Sequence, residues 1–93
     1  MAGSIGNSKQ IRLRTSIRSG VSVADIIRAE LKFERRTPHD MMFDFMEAFQ
    51  IRLGDVSCID GWWPDGTGEV SDARLDEIVR RAIETRRHAW ETL

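Results

Sequence analysis

Apolar or β-branched residues fall at every second position over residues 11–17, at Ile11, Leu13, Thr15 and Ile17, with Arg12, Arg14 and Arg18 between or beside them. A period of two predicts a half-buried strand with a basic outer face. The run is short enough to form a helical turn or two instead, and Ser19-Gly20 ends it. A strand here needs a partner for its backbone groups. Only residues 56–59 and 69–70, or a second copy of the chain, offer one.

The pattern then changes to helical spacing. Over residues 22–35, Ala24, Ile27 and Leu31 share one face while Ile26 and Phe33 lie on another. Ser22 is placed to cap this helix, with Asp25 near its positive end. Thr37-Pro38-His39-Asp40 is the clearest start: an N-cap, a proline at the first helical position and an acid in the first turn. From there Met41, Met42, Phe45, Met46, Phe49 and Leu53 gather on one broad side and Asp40, Asp44 and Glu47 on the opposite one. Gly54 is expected to end that helix in a left-handed cap. Residues 55–59 fit either a short extended segment or a helical turn.

Trp63-Pro64-Asp65-Gly66 reads as a type I turn, and Thr67-Gly68 prolongs the loop. The last helix is expected to start at the capping pair Ser71-Asp72 and run to Trp90. Its apolar face carries Leu75, Ile78, Val79, Ala82, Ile83, Ala89 and Trp90. Glu77/Arg81, Arg80/Glu84 and Glu84/His88 are the expected i, i+4 pairs. The fold class is therefore mainly α: a small three-helix domain over residues 9–93, with a candidate short N-terminal β-strand, an irregular Trp-rich loop and a flexible polar tail over residues 1–8.

Composition narrows this. Ninety-three residues make one domain, and 41% hydrophobic with 31% charged residues is ordinary for a folded chain. The single cysteine, Cys58, excludes an intramolecular disulfide and fits a reducing, cytoplasmic setting. No apolar run reaches the ~18 residues of a membrane span, so no membrane partner is expected. Net charge is −1, but it is unevenly spread. Residues 1–36 hold eight Lys/Arg against three acids, and residues 37–93 hold six Arg against twelve acids. The basic third could meet the acidic remainder within one fold, between two copies, or face a nucleic acid.

Chemistry-bearing patterns are sparse. His39, His88 and Cys58 show no paired short spacing of the kind zinc sites use, so no metal and no cofactor is expected. Cys58 reads as a small buried hydrophobe rather than a nucleophile. Asp40, Asp44 and Glu47 read as a solvated acidic stripe or a docking strip for a basic partner. Trp62-Trp63 is the most suggestive local feature: one ring is expected to cover the core while the other stays partly exposed. The pair reads either as two rings capping the core of a small domain or as a binding contact for at least one of them. Phe43 adds a second aromatic, on the flank of its helix.

Phe45, Phe49, Trp63, Pro64-Asp65-Gly66, Leu75 and Trp90, in that order, resemble a family of small uncharacterised enterobacterial proteins whose helical architecture is likened to acyl carrier proteins. The resemblance covers about half the chain and implies a helical fold. It departs from true carriers at the Asp-Ser-Leu that takes their prosthetic arm. Here the serines stand in Val56-Ser57-Cys58 and Val70-Ser71-Asp72, so prosthetic-group attachment is not expected.

These readings favour a non-enzymatic protein-interaction module, a homodimer or a binder of another protein, with contacts at Trp62, Trp63, Phe43, Asp40, Asp44 and Glu47. A small acidic-faced chain would also suit an immunity or antitoxin role against a basic partner. The first alternative is a ribbon–helix–helix DNA binder reading through Arg12, Arg14 and Arg18. The second is a carrier-like adaptor without a prosthetic group.

Overall fold

The computed structural model describes residues 8–33 and 35–92. Among them the architecture is helical, as expected. In chain order the helices are α1 (Ser8–Arg18), α2 (Val23–Phe33), α3 (Pro38–Phe49), α4 (Leu53–Val56), a 3-10 turn (Ser57–Gly61), α5 (Asp72–Thr85) and α6 (Arg87–Trp90). The tail expected over residues 1–8 lies outside the described residues except for Ser8, which opens α1. No helix among the described residues is long and apolar enough to cross a membrane.

The candidate strand over residues 11–17 is a helix. Leu13, Arg14 and Ile17 face inward, a spacing of one helical turn, whereas Ile11 is exposed. Leu13 and Ile17 satisfy both periods, which is why the alternation misled. What selects the helix is the pair of acidic and carbonyl acceptors it meets. Arg12 reaches Glu30 on α2, and Arg14 Nε donates to the Ala48 carbonyl at the end of α3, 2.8 Å away. Those two bonds leave opposite sides of a helical turn, whereas a strand would send Arg12 and Arg14 to one face. Residues 56–59, the other candidate strand, close α4 and enter the 3-10 turn. Residue 70 makes a single parallel bridge with Trp62.

α1 packs on α3, and α5 on α2, around one hydrophobic cluster. Leu13, Val23, Ile27, Met41, Phe45, Phe49, Leu75, Val79, Ile83 and Trp90 are all buried in it. An aromatic row runs through the centre. Phe45 and Phe49 lie 5.6 Å apart, and Phe49 meets Trp90 edge-to-face at 5.0 Å. Both ring separations fall in the favourable range for aromatic pairs.

Local chemistry sets the helix ends. Ser22 Oγ accepts from Asp25 N at 3.2 Å, and Asp76 on α5 accepts from Val23 N at 2.8 Å, so two orphan amides of α2 are satisfied. Thr37 and Asp40 form a reciprocal capping box on α3, with Pro38 in the first turn. Gly54 does not end α3. The helix stops at Phe49, and Gln50 takes the left-handed conformation (φ 55°) instead. Stopping there lets Ile51 turn into the core, while Gln50 Nε2 donates to the Glu47 carbonyl at 2.9 Å. Leu53, expected on the apolar side of α3, is left half-exposed at the start of α4.

The final helix is broken at Arg86. The break swings Trp90 inward, where its indole donates to the Ile83 carbonyl at 2.9 Å. The charged pairs also differ from the expected ones. Arg80 takes Asp76 at 3.2 Å and the Val21 carbonyl at 2.6 Å, because α2 and its preceding loop lie on that side. Glu84 is held by Arg87, and Glu77 by Arg74.

Candidate functional site

The Trp62-Trp63 pair divides as its sequence implied. Trp62 is buried, at 2% exposure, and Trp63 is 56% exposed. Asp72, the first residue of α5, explains the division. Its Oδ1 accepts from the Trp62 indole at 2.8 Å. The same carboxylate receives a two-pronged bond from Arg28, at 2.8 and 3.0 Å. Arg28 also lies over the Trp62 ring, 5.2 Å from its centroid, and donates to the Pro64 carbonyl at 3.1 Å. Arg28 and Trp62 together hold the Asp72 carboxyl below its ordinary value, with Arg28 the stronger influence. The acid also stands at the positive end of a helix, where it is favoured.

Beyond Trp62 the loop is fixed by short-range bonds. Gly66 N donates to the Trp63 carbonyl at 2.9 Å, closing the expected turn. The Asp65 carboxylate accepts from both the Thr67 amide and hydroxyl, which lowers its pKa. Gly68 packs so closely that a Cβ there would lie 2.5 Å from the Gly61 oxygen and from Trp63 Cδ1. The Trp63 ring therefore rests on bare backbone, in a defined place, while its outer part faces solvent.

Trp63 stands on the rim of a groove of about 310 Å³ lined by Pro38, Ile59, Trp62 and Pro64, with Thr37, His39 and Asp60 supplying polar atoms. His39 Nδ1 lies 3.1 Å from Asp60 Oδ1 and ties the start of α3 to the 3-10 turn. One turn on, the half-exposed Phe43 meets the His39 ring edge-on at 5.5 Å and extends the apolar surface. Trp62, Trp63 and Phe43 are thus brought to one side of the molecule. His39, Asp60, Arg28 and Asp72 were not recognised from sequence as parts of it. The i, i+4 spacing of His39 and Phe43 was the one available signal; the others act through tertiary contact alone.

The acidic residues are not part of that surface as an open strip. Asp40 is occupied by its own capping box, and the Thr37 amide is the main reason its pKa is lowered. Asp44 is largely covered, ion-paired with Arg36 and 3.9 Å from Lys9 Nζ. Burial nevertheless raises its pKa, outweighing both cations. Glu47 accepts weakly from Gln10 at 3.5 Å. The basic helix α1 and the acidic face of α3 therefore meet within one chain.

Arg12, Arg14 and Arg18 are likewise turned to the protein itself. Arg12 grips the buried Glu30 with two bonds of 2.8 and 2.7 Å. Arg14 is buried, and desolvation with the nearby Arg18 lowers its pKa. Arg18 lies over Trp90 at 5.3 Å and donates to the Glu91 carbonyl. The strand that would carry them into a DNA groove is a helix.

Cys58 packs against the core, and burial pushes its thiol up, away from the reactive thiolate form. Ser71 caps α5 through Arg74 N at 3.1 Å, and Ser57 donates to the Gly54 carbonyl. Among the described residues no group of three or more His, Cys, Asp or Glu is placed to hold a metal ion. Compared with known proteins, the chain matches no family model, no curated protein and no solved structure.

Proposed function

We propose that the protein is a non-enzymatic protein-interaction module that works as a homodimer, each copy seating its Trp63 ring in the other's groove. The observation that carries this reading is adjacency: an exposed Trp packed on Gly68 borders an apolar groove on the same face. A two-fold interface uses one patch on both subunits, so an anchor and its receptor must lie side by side.

The chemistry of the patch supports it. An aromatic anchor surrounded by a polar rim is the usual anatomy of an energetic contact. Here Trp63 and Phe43 are the anchors, and His39, Asp60 and Thr37 are the rim. Holding Trp63 against Gly68 before binding reduces the side-chain entropy lost on association.

Intrinsic fluorescence tests the reading. Trp62 and Trp90 are already buried, so a concentration-dependent change must come from Trp63. Emission of the wild-type chain is expected to move to shorter wavelength as concentration rises, and that of Trp63→Ala to stay constant. A wild-type spectrum independent of concentration up to the millimolar range would contradict the proposal.

A further inference from the structure

A second concavity lies between the start of α4 and the outer face of α5, and its volume is about 440 Å³. It shares no residue with the Trp63 groove. Arg52, Arg74, Arg81 and Arg86 line it, against the carboxylates of Asp55 and Glu77. Both carboxylates are already engaged: Asp55 accepts from the Arg52 backbone amide at 3.0 Å, and Glu77 from Arg74.

That leaves Arg52, Arg81 and Arg86 with no carboxylate partner among the described residues. Elsewhere Arg12, Arg28, Arg36, Arg80 and Arg87 each close on an acid, and Arg14 and Arg18 donate to backbone carbonyls. The Arg86 Nε is moreover buried with no acceptor among the described residues. A buried donor without an acceptor is costly and is rarely left so in a folded protein. Four arginines against two carboxylates leave the hollow with an excess of positive charge, which favours an anion.

We infer that this groove binds a phosphoryl group carried by a small molecule. Arginine's planar fork matches the tetrahedral oxygens of a phosphate, and several forks can share one dianion. The hollow has the size of a small-ligand site. Ile78 and Ala82 form an apolar strip within it, able to receive the organic part of the ligand. A long polyanion fits less well, because residues 37–93 carry twelve acids against six arginines and would repel the strand on either side of the groove.

Amide-resolved NMR of the full chain, titrated separately with inorganic phosphate and pyrophosphate at fixed ionic strength, tests this. Saturable shifts confined to residues 52–55 and 74–86 are expected, with pyrophosphate the tighter ligand. Arg52→Gln and Arg81→Gln, both at exposed positions, are expected to weaken binding tenfold or more. Lys32→Gln, the same loss of charge on α2, is expected to leave it unchanged, and so is Trp63→Ala. Shifts that do not saturate, or that chloride reproduces, overturn the inference. So does a short single-stranded oligonucleotide that displaces pyrophosphate at tenfold lower concentration, since the site would then belong to a nucleic acid.

Discussion

The Trp62 indole donates to Asp72 Oδ1 at 2.8 Å, across ten residues of loop. The same carboxylate binds Arg28 from α2, so one side chain at the start of α5 fixes both the ring and the segment beside it. Arg28 then reaches the Pro64 carbonyl, so the residues on both sides of the exposed Trp63 are tied to the same Arg28–Asp72 pair, while its ring packs on Gly68.

Asp72→Ala should therefore release the loop. A buried indole N–H left without its acceptor costs about 1–2 kcal/mol, less if water reaches it. Urea denaturation should report that loss, and the Trp emission should move to longer wavelength in the folded state. Asp72→Asn keeps an acceptor for Trp62 and should recover the spectrum more fully than the stability.

Two glycines should behave oppositely. Gly68→Ala places a methyl group 2.5 Å from Gly61 oxygen and Trp63 Cδ1. The backbone oxygen cannot yield, and a destabilisation of about 1–3 kcal/mol is expected. Gly54, in α4, has open space around its would-be Cβ. Gly54→Ala should stabilise by about 0.5–1 kcal/mol through helix propensity and unfolded-state entropy. Thermal unfolding of the two variants side by side checks both signs.

Arg14 is buried against the last turn of α3, where carbonyls lack helical partners and the dipole favours a cation. Arg14→Met keeps much of the packing volume but removes the donor to Ala48. A loss of about 1–3 kcal/mol is expected by denaturant titration. Arg18→Met, at an exposed position on the same helix, should change stability by no more than about 0.5 kcal/mol.

Acid should act with opposite sign on the buried Glu30 and the largely covered Asp44. Arg12 holds the Glu30 carboxyl below its ordinary value of 4.5. Its contribution is present in full above that value and is lost as pH falls through the lower, folded one. Burial raises Asp44 above its ordinary 3.8, so its ionisation opposes folding, and protonation relieves that opposition as pH falls. Stability measured between pH 6 and 3 should fall less steeply in Glu30→Gln than in the wild type. In Asp44→Asn it should fall more steeply.

Much of the helical framework was legible because single residues mark its ends. Thr37-Pro38-His39-Asp40 and Ser71-Asp72 are caps whose chemistry is local, and both stand where their residues predicted. α1 was not legible, since Leu13 and Ile17 satisfy a period of two as well as a helical turn; only Glu30 and Ala48, distant in sequence, choose between them. Gln50 escaped notice because nothing local demands a left-handed residue there: the demand comes from burying Ile51. At the candidate site the Trp pair advertised itself, while Arg28 and Asp72 read as ordinary surface charges. Of the acidic stripe expected at Asp40, Asp44 and Glu47, Asp44 is covered by Arg36 and Lys9, which viewing α3 alone does not show.

Molar mass in solution, by light scattering over a range of concentrations, tests the homodimer most directly. Wild-type protein should approach twice the 10.7 kDa of one chain as concentration rises. High salt should leave that mass unchanged, because the contact is apolar. Trp63→Ala should remain at 10.7 kDa throughout. A wild-type mass that stays at one chain at every concentration, or a dimer that Trp63→Ala leaves intact, would contradict the account.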